Sequence, residues 1–287
     1  MANLLPVKKI YCDTKFKRSD SKSNSNFKID LPQTLKLPDN AIFYIDDVSI
    51  PYVWHTVRAG VNDKMYFRLS DPTYILPDYL HADYTITLDS KTYNGTQFAA
   101  AIASKIQTIT GGTATTCTYD TQTKLISISV SNYNFNLFTD AELIDPNSLY
   151  NIGWNDTAYD KNNLASANEL LTNIFQPSPI SSTTTPAEYY LMLTPVRNIY
   201  MRSPNLSSFN TIGCNGESSI IKKIAVNVGP GDMITSYITS STDYLNCSRA
   251  TWKTVEIQIT DVNGSEIQMH GGNWSFSILL SISNPNI

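Results

Sequence analysis

The sequence predicts a mainly β protein, an antiparallel β-sandwich that carries a small inserted α+β domain, and three observations support that reading. Segments with apolar residues at every second position recur near both ends of the chain. Glycine, asparagine, aspartate and proline punctuate them, at spacings of about 8 to 12 residues in the C-terminal part. One amphipathic helical stretch stands alone in the middle.

The N-terminal strands come first. Lys8 to Asp13 reads as a strand, followed by the polar loop "SDSKSNSN", a strand from Phe27 to Leu31, and a long apolar run from Ala41 through Trp54 punctuated by Asp39-Asn40 and Pro51. A further strand, Met65 to Leu69, follows the turn Gly60-Val61-Asn62-Asp63. Residues 1–78 are therefore expected to supply the N-terminal strands of the sandwich.

Near residue 79 the texture changes. "YTITLDSKTYNGTQFAAAIASKIQTI" is a short strand followed by a helix, with Phe98, Ala101, Ile102, Ile106 and Ile109 on one face and Asn94 or Thr96 as its cap. The short strands "TCTYD", "KLISISV" and "FNLF" follow, the first two joined by the turn Asp120-Thr121-Gln122-Thr123, so residues 80–138 form a β-α-β-β-β unit. Residues 140–186 are rich in Asn, Asp, Ser, Thr and Pro and end in "QPSPISSTTTP", which reads as a connector. The inserted domain and connector are expected over 79–186.

Strands resume over 187–287: Glu188 to Leu193, Asn198 to Ser203, Ser219 to Val228, Met233 to Ile238, Thr251 to Thr260, Glu266 to Met269 and Trp274 to Ile282. The N-terminal strands alone are too few to cover a core. The two ends of the chain are therefore expected to pack together as one sandwich or jelly roll split by the insertion.

One stretch, "DVNGSEIQMHGGNWSF", holds Asp261, His270 and Ser275 within sixteen residues and raises the question of a hydrolytic triad. Its flanks argue for turns instead. Val255, Ile257 and Ile259 alternate before it, and Trp274, Phe276, Ile278, Leu280 and Ile282 share a face after it, opposite Ser275, Ser277 and Ser281. Asn263-Gly264 and Gly271-Gly272 supply two reversals. Ser275 lacks the Gly-x-Ser-x-Gly elbow of an activated nucleophile.

The remaining residues exclude further function classes. A net charge of −4 and no cationic run beyond Lys15-Phe16-Lys17-Arg18 argue against specific nucleic-acid recognition, since phosphate contacts need several cations on one face. Cys12, Cys117, Cys214 and Cys247 lack metal or redox spacing and fit synthesis in an intracellular, reducing compartment. The N-terminus is too polar for a signal peptide, no stretch approaches the ~18 apolar residues of a membrane span, and the sequons at Asn94, Asn155, Asn205, Asn246, Asn263 and Asn273 are expected to stay unmodified. His55 and His81 are isolated and read as structural. Asp46 and Asp47 are neighbours on a strand and are expected to point to opposite faces, so that they cannot act together, one of them making a buried or interfacial hydrogen bond. "NVGPGD" lacks the Gly-Lys-Ser/Thr of a phosphate loop and fits a turn between Val228 and Met233. No catalytic residue, cofactor or metal ligand is expected.

The opening "KKIYCDTKFKRSDSKSNSNFKIDLPQTLKLPDNAIFYIDDVSIPYVWHTV" resembles the start of the minor capsid (penton) proteins of virophages and Polinton-like viruses. It has a lysine-rich strand, a Ser/Asp loop and then "LPDN", "DDVSIP" and a tryptophan. "NIYMRSPNLSSFNTIGCNGESSIIKKIAV" and "VEIQITDVNGSEIQMHGGNWSFSILLSI" are similar to the C-terminal half of that family, through "SPNL", "IIKKI" and the final "WSF". The resemblance leaves residues 140–186 unmatched. It implies a single jelly roll without enzymatic activity, assembling as a homopentamer at the fivefold vertices of an icosahedral capsid in the virion. Its implied partner is a double-jelly-roll major capsid protein, and a vertex spike or receptor is a further candidate.

Tyrosines in or near polar segments suit such an interface, because the ring offers large contact area at low rotamer entropy. They are Tyr74, Tyr79, Tyr84, Tyr133, Tyr150, Tyr159, Tyr189 and Tyr190. The alternative reading is a carbohydrate- or receptor-binding β-sandwich, with Trp154 and Tyr150 as an aromatic platform.

Overall fold

Alternating side chains build the sheets, and among the described residues a single capped helix interrupts them. The computed structural model describes residues 7–60, 62–70, 81–137, 185–186, 191, 193–194, 196–206, 211–213, 216, 219–240 and 243–282. In chain order its first elements are β1 (Lys8–Asp13), a short 3-10 turn (Thr14–Phe16), β2 (Asn26–Lys36), β3 (Ala41–Pro51), β4 (Lys64–Ser70), β5 (His81–Thr87), α1 (Gly95–Ile109), β6 (Thr115–Tyr119), β7 (Ile126–Val130) and β8 (Asn134–Leu137). They are followed by β9 (Thr185–Pro186), β10 (Asn198–Arg202), β11 (Ile220–Ala225), β12 (Met233–Tyr237), β13 (Leu245–Asn246), β14 (Thr251–Thr260) and β15 (Ser275–Ile282). The chain forms two compact units, Met1–Trp54 with Val196–Ile287, and His55–Pro195.

The first unit is a jelly roll. Its sheets run β1-β15-β3-β12, with β13 also pairing β3, and β11-β10-β14-β2, all antiparallel. If its long strands are counted 1 to 8 along the chain, the two orders are 1-8-3-6 and 5-4-7-2, the double Greek key of a jelly roll. The expected union of the two chain ends is realised by β15, which lies between β1 and β3.

Inward residues of both sheets form one core that includes Phe27, Phe43, Val255, Ile257, Ile278 and Leu280. Two edge-to-face aromatic pairs tie the sheets together. Phe27 of β2 meets Trp274 at 5.4 Å, and Phe43 of β3 meets Trp252 of β14 at 5.3 Å. Such pairs contribute about 0.5–1.5 kcal/mol each beyond the area they bury.

The second unit contains the sheets β5-β4-β8 and β6-β7-β9 and the helix α1. Asn94 caps the helix: its side chain accepts from Gln97 N at 2.9 Å while Gln97 Oε1 accepts from Asn94 N at 3.1 Å. Phe98, Ala99, Ile102 and Ile106 are buried, packing into a core with Met65, Phe67, Ile126 and Ile128. The apolar stripe is therefore rotated toward Ala99, leaving Ala101 half-buried and Ile109 exposed in the last turn. The Asp120 turn forms as expected, with Asp120 Oδ1 accepting from Gln122 N at 2.7 Å and Thr123 N at 3.2 Å. These bonds favour the ionised carboxyl and hold it below its usual range.

Several expectations are corrected. β4, expected among the sandwich strands of 1–78, pairs instead with β5 and β8, because its buried face of Met65, Phe67 and Leu69 belongs to the second core. Glu266 to Met269 is not a strand: Thr260 and Glu266 make one isolated bridge, and Ile267 N donates to Ile259 O at 3.2 Å. The two-residue β13 was absent from the pattern, being too short to show alternation. Within the expected 140–186 connector, Thr185–Pro186 forms β9; the rest of that connector, and most of Glu188 to Leu193, lies outside the described residues.

Cys12 and Cys247 are buried free thiols, and burial pushes the pKa of each up to about 12. At pH 8 both thiols stay protonated and shielded, so alkylation of the native protein followed by peptide mass spectrometry should leave them unmodified and label them only after denaturation. Rapid native labelling of either would contradict this packing.

Candidate interaction surface

The outer face of the sheet β1-β15-β3-β12 is built around a bulge. Phe276 pairs with Val48 and Ile278 with Ile45, so the single residue Ser277 lies opposite two, Asp46 and Asp47. The extra residue breaks the alternation that would send neighbouring side chains to opposite faces. Both carboxylates instead turn to the same partners. Lys9 Nζ of β1 pairs with Asp46 Oδ2 and lies 3.8 Å from Asp47 Oδ1. The Ser277 hydroxyl donates to Asp47 Oδ1 and is 3.5 Å from Asp46 Oδ2.

The expected opposition of Asp46 and Asp47 is therefore overturned, and Ser277, expected to face water, is fully covered (0% exposed) by the groups it serves. Chemically this is an ion-pair and hydroxyl network that pins the bulge across three strands.

A cation also reaches this strand from the other sheet. β12 pairs with β3 from Pro51 to Asp47 and β13 pairs with Phe43 and Ile42, leaving Ile45 in the gap between them. There Lys222 Nζ of β11 donates to Ile45 O at 2.8 Å. Burial lowers the lysine's pKa, while the charges of Asp243, Asp46 and Asp47 oppose that shift.

Strand register extends the bulge into a continuous row. Tyr11 opposes Ser277, Ser277 sits against Asp46 and Asp47, and Asp47 opposes Tyr237. The row thus ends in two exposed tyrosine rings, Tyr11 at 75% and Tyr237 at 64%. The next row runs Lys9, Leu279 and Tyr44, and the Tyr44 ring meets Tyr244 edge-on at 6.3 Å. Lys9 Nζ lies 5.5 Å from the Tyr11 ring centroid.

The other residues singled out in the sequence have local roles. Asp261 Oδ1 accepts from Asn263 N at 3.0 Å and Ser265 N at 2.9 Å, closing its own loop rather than orienting a base. In that loop only Gly264 has positive φ, so the turn is not the primed hairpin expected at Asn263-Gly264. His270 and Gly271 both have positive φ, and Gly272 N donates to Met269 O at 2.7 Å, the pattern of a primed two-residue turn. His270 is an exposed turn residue and Ser275 lies on a regular strand paired with Asp13 and Ser49.

His55 Nδ1 lies 3.3 Å from Ser90 Oγ; the side chain of His81 lies outside the described residues. "NVGPGD" forms its expected turn, with Asp232 N donating to Gly229 O at 3.1 Å. Arg18 is engaged by Asp20 at 2.9 Å and Asp30 at 3.3 Å, which removes it from the free cations of the Lys15–Arg18 run.

At one end of the jelly roll the Ser/Asn loop is fastened to the loop before β15. Lys22 pairs with Glu266 at 2.9 Å, Asn24 Nδ2 donates to Gly272 O at 2.8 Å, and Trp274 Nε1 donates to Asn24 O at 2.7 Å. A depression of about 660 Å³ lies between these loops, lined by Lys17, Asn24, Glu266, Gln268 and His270 among others. Among the described residues no group of three His, Cys, Asp or Glu is arranged to hold a metal ion, and no helix is long and apolar enough to cross a membrane.

Of the tyrosines expected at an interface, Tyr84 stacks on Phe67 at 5.5 Å and Tyr133 is 39% exposed. Tyr74, Tyr79, Tyr150, Tyr159, Tyr189 and Tyr190 lie outside the described residues, as do Trp154 and Cys214. The exposed rings of Tyr11 and Tyr237 lie on strands rather than in the polar segments where interface tyrosines are expected. The alternation in "KKIYCD" already placed Tyr11 opposite the buried Cys12.

The chain shares its fold with the mavirus penton protein. The match to that selenomethionine-labelled crystal structure covers 97% of this chain and 100% of the penton chain, with a TM-score of 0.57 and 8% sequence identity. No family model matches the sequence, and no curated protein does. The likeness is one of fold, and it agrees with the jelly roll that the N- and C-terminal motifs implied.

Removing the Ser277 hydroxyl tests the bulge directly. Ser277→Ala leaves Asp47 without a buried donor and should lower the unfolding free energy by about 1–3 kcal/mol in denaturant titrations. An unchanged midpoint and slope would show that the network does not hold the bulge.

Proposed function

We propose that this chain is a structural subunit of a viral capsid, a penton-like protein that assembles as a homopentamer at fivefold vertices of an icosahedral shell. The observation that carries this reading is the whole-chain likeness to a penton: the shared fold spans 97% of this chain and 100% of the other, so both compact units take part and not the sandwich alone. The order of sequence motifs resembling virophage and Polinton-like penton proteins supports it from a second direction.

On this reading the protein resides in the virion and contacts a double-jelly-roll major capsid protein, with a vertex spike or receptor as a further partner. Its work is self-association and docking rather than catalysis. Exposed tyrosine rings across a pinned sheet face suit that role, since they supply contact area at small entropic cost.

Light scattering behind a sizing column, at several concentrations and two salt levels, checks the reading. A species of five 32.0 kDa chains is expected. A strict monomer at every concentration would contradict the reading and bring glycan-binding screens forward.

A further inference from the structure

The jelly roll presents two outer sheet faces that differ in chemistry. On β1-β15-β3-β12 the aligned outward residues carry one cation, Lys9, against three carboxylates, Asp13, Asp46 and Asp47. Tyr11 and Tyr237 stand exposed at its two margins.

On β11-β10-β14-β2 the outward rows follow from register: Lys223 opposes Tyr200, Arg202 opposes Gln258, and Lys28 opposes Glu256. Arg202 is itself buried against Thr260, so with Lys253 three accessible cations, Lys28, Lys223 and Lys253, face two carboxylates, Asp30 and Glu256. This face has no exposed aromatic ring comparable to Tyr11 among the described residues.

We propose that in the assembled ring the acidic, tyrosine-bearing face of one subunit packs on the basic face of the next copy of this chain. The inference rests on the capsid reading above and names the surfaces through which it acts. Three features lead to it. The faces are opposite in charge balance, which favours their mutual encounter over the pairing of like faces. Exposed tyrosines on one meet lysines on the other, a pairing that adds cation–π attraction to area burial. The two patches are different surfaces of one chain, so their union is head-to-tail and does not stop at a twofold dimer; with a rotation of one fifth of a turn per contact it closes as a ring of five.

The pinned bulge has a part in this geometry. Lys9 and Ser277 engage both carboxylates at the centre of the acidic face and leave one net negative charge there for a lysine of the neighbouring copy to meet.

Complementation tests the assignment. Tyr11→Lys with Tyr237→Lys spoils the first face, and Lys223→Glu with Lys253→Glu spoils the second; each leaves the other face intact. All four positions are exposed, so thermal melts should match the parent protein. The parent chain is expected as a five-subunit species, each variant alone as a monomer, and an equimolar mixture as a two-subunit species and nothing larger. In the unaltered protein, carbodiimide crosslinks should join carboxylates of the first face to Lys223 or Lys253 of a neighbour.

Either variant retaining the parent mass, or a mixture that stays monomeric, would overturn the face assignment while leaving the capsid reading in place. A parent chain that is monomeric at every concentration would overturn both. Crosslinks confined to other surfaces would overturn the assignment independently of how the variants fold.

Discussion

The position of β15 between β1 and β3 is the constraint on which the jelly roll depends. Its last strand pairs Lys8–Asp13 on one side and Ala41–Pro51 on the other, so the sheet has no continuous centre until the C-terminal strand is in place. Trp274, at the entry to that strand, then contacts Phe27 of the opposite sheet and donates its indole N–H to Asn24 O. One strand therefore closes a sheet, joins the two layers and fastens the Ser/Asn loop. Because pairing is so non-local, the chain can leave after β3 and return at β10 with a second compact unit between them; closure entropy grows only slowly with loop length.

The same strand generates the surface with most to say about function. Its register against β3 slips between Phe276 and Ile278, and the slip forces Asp46 and Asp47 together on one face. Two adjacent carboxylates would repel if left alone. Lys9 offsets one of the two charges and Ser277 orients Asp47, while Lys222 crosses from the other sheet to occupy the break between β12 and β13. The result is an outer face that is polar at its centre and aromatic at its margins, a chemistry suited to burial against another protein.

Much of the architecture is legible in the sequence, because period-two alternation reports a half-buried strand wherever one face is wet. Thr251–Thr260 and Lys8–Asp13 follow directly from it, and Asn94 signals the helix start. What escaped has physical causes. Alternation says that Met65 to Leu69 is a strand but not which core its buried face joins, so β4 was assigned to the wrong sheet. A bulge is one extra residue in a partner strand and is invisible without knowing the register; the geometry of Asp46 and Asp47 was misread for that reason. Tyr11 and Tyr237 were visible as outward positions on strands, but their alignment across four strands exists only once β15 and β3 separate them.

On the proposed reading, the jelly roll and its two chemically distinct outer faces serve association with copies of this chain. The most direct test is an electron cryomicroscopy reconstruction of the purified assembly without imposed symmetry. The account predicts five copies related by one axis, with adjacent jelly rolls packed sheet against sheet. A reconstruction showing a twofold or irregular association, or particles of single-chain size only, would contradict it.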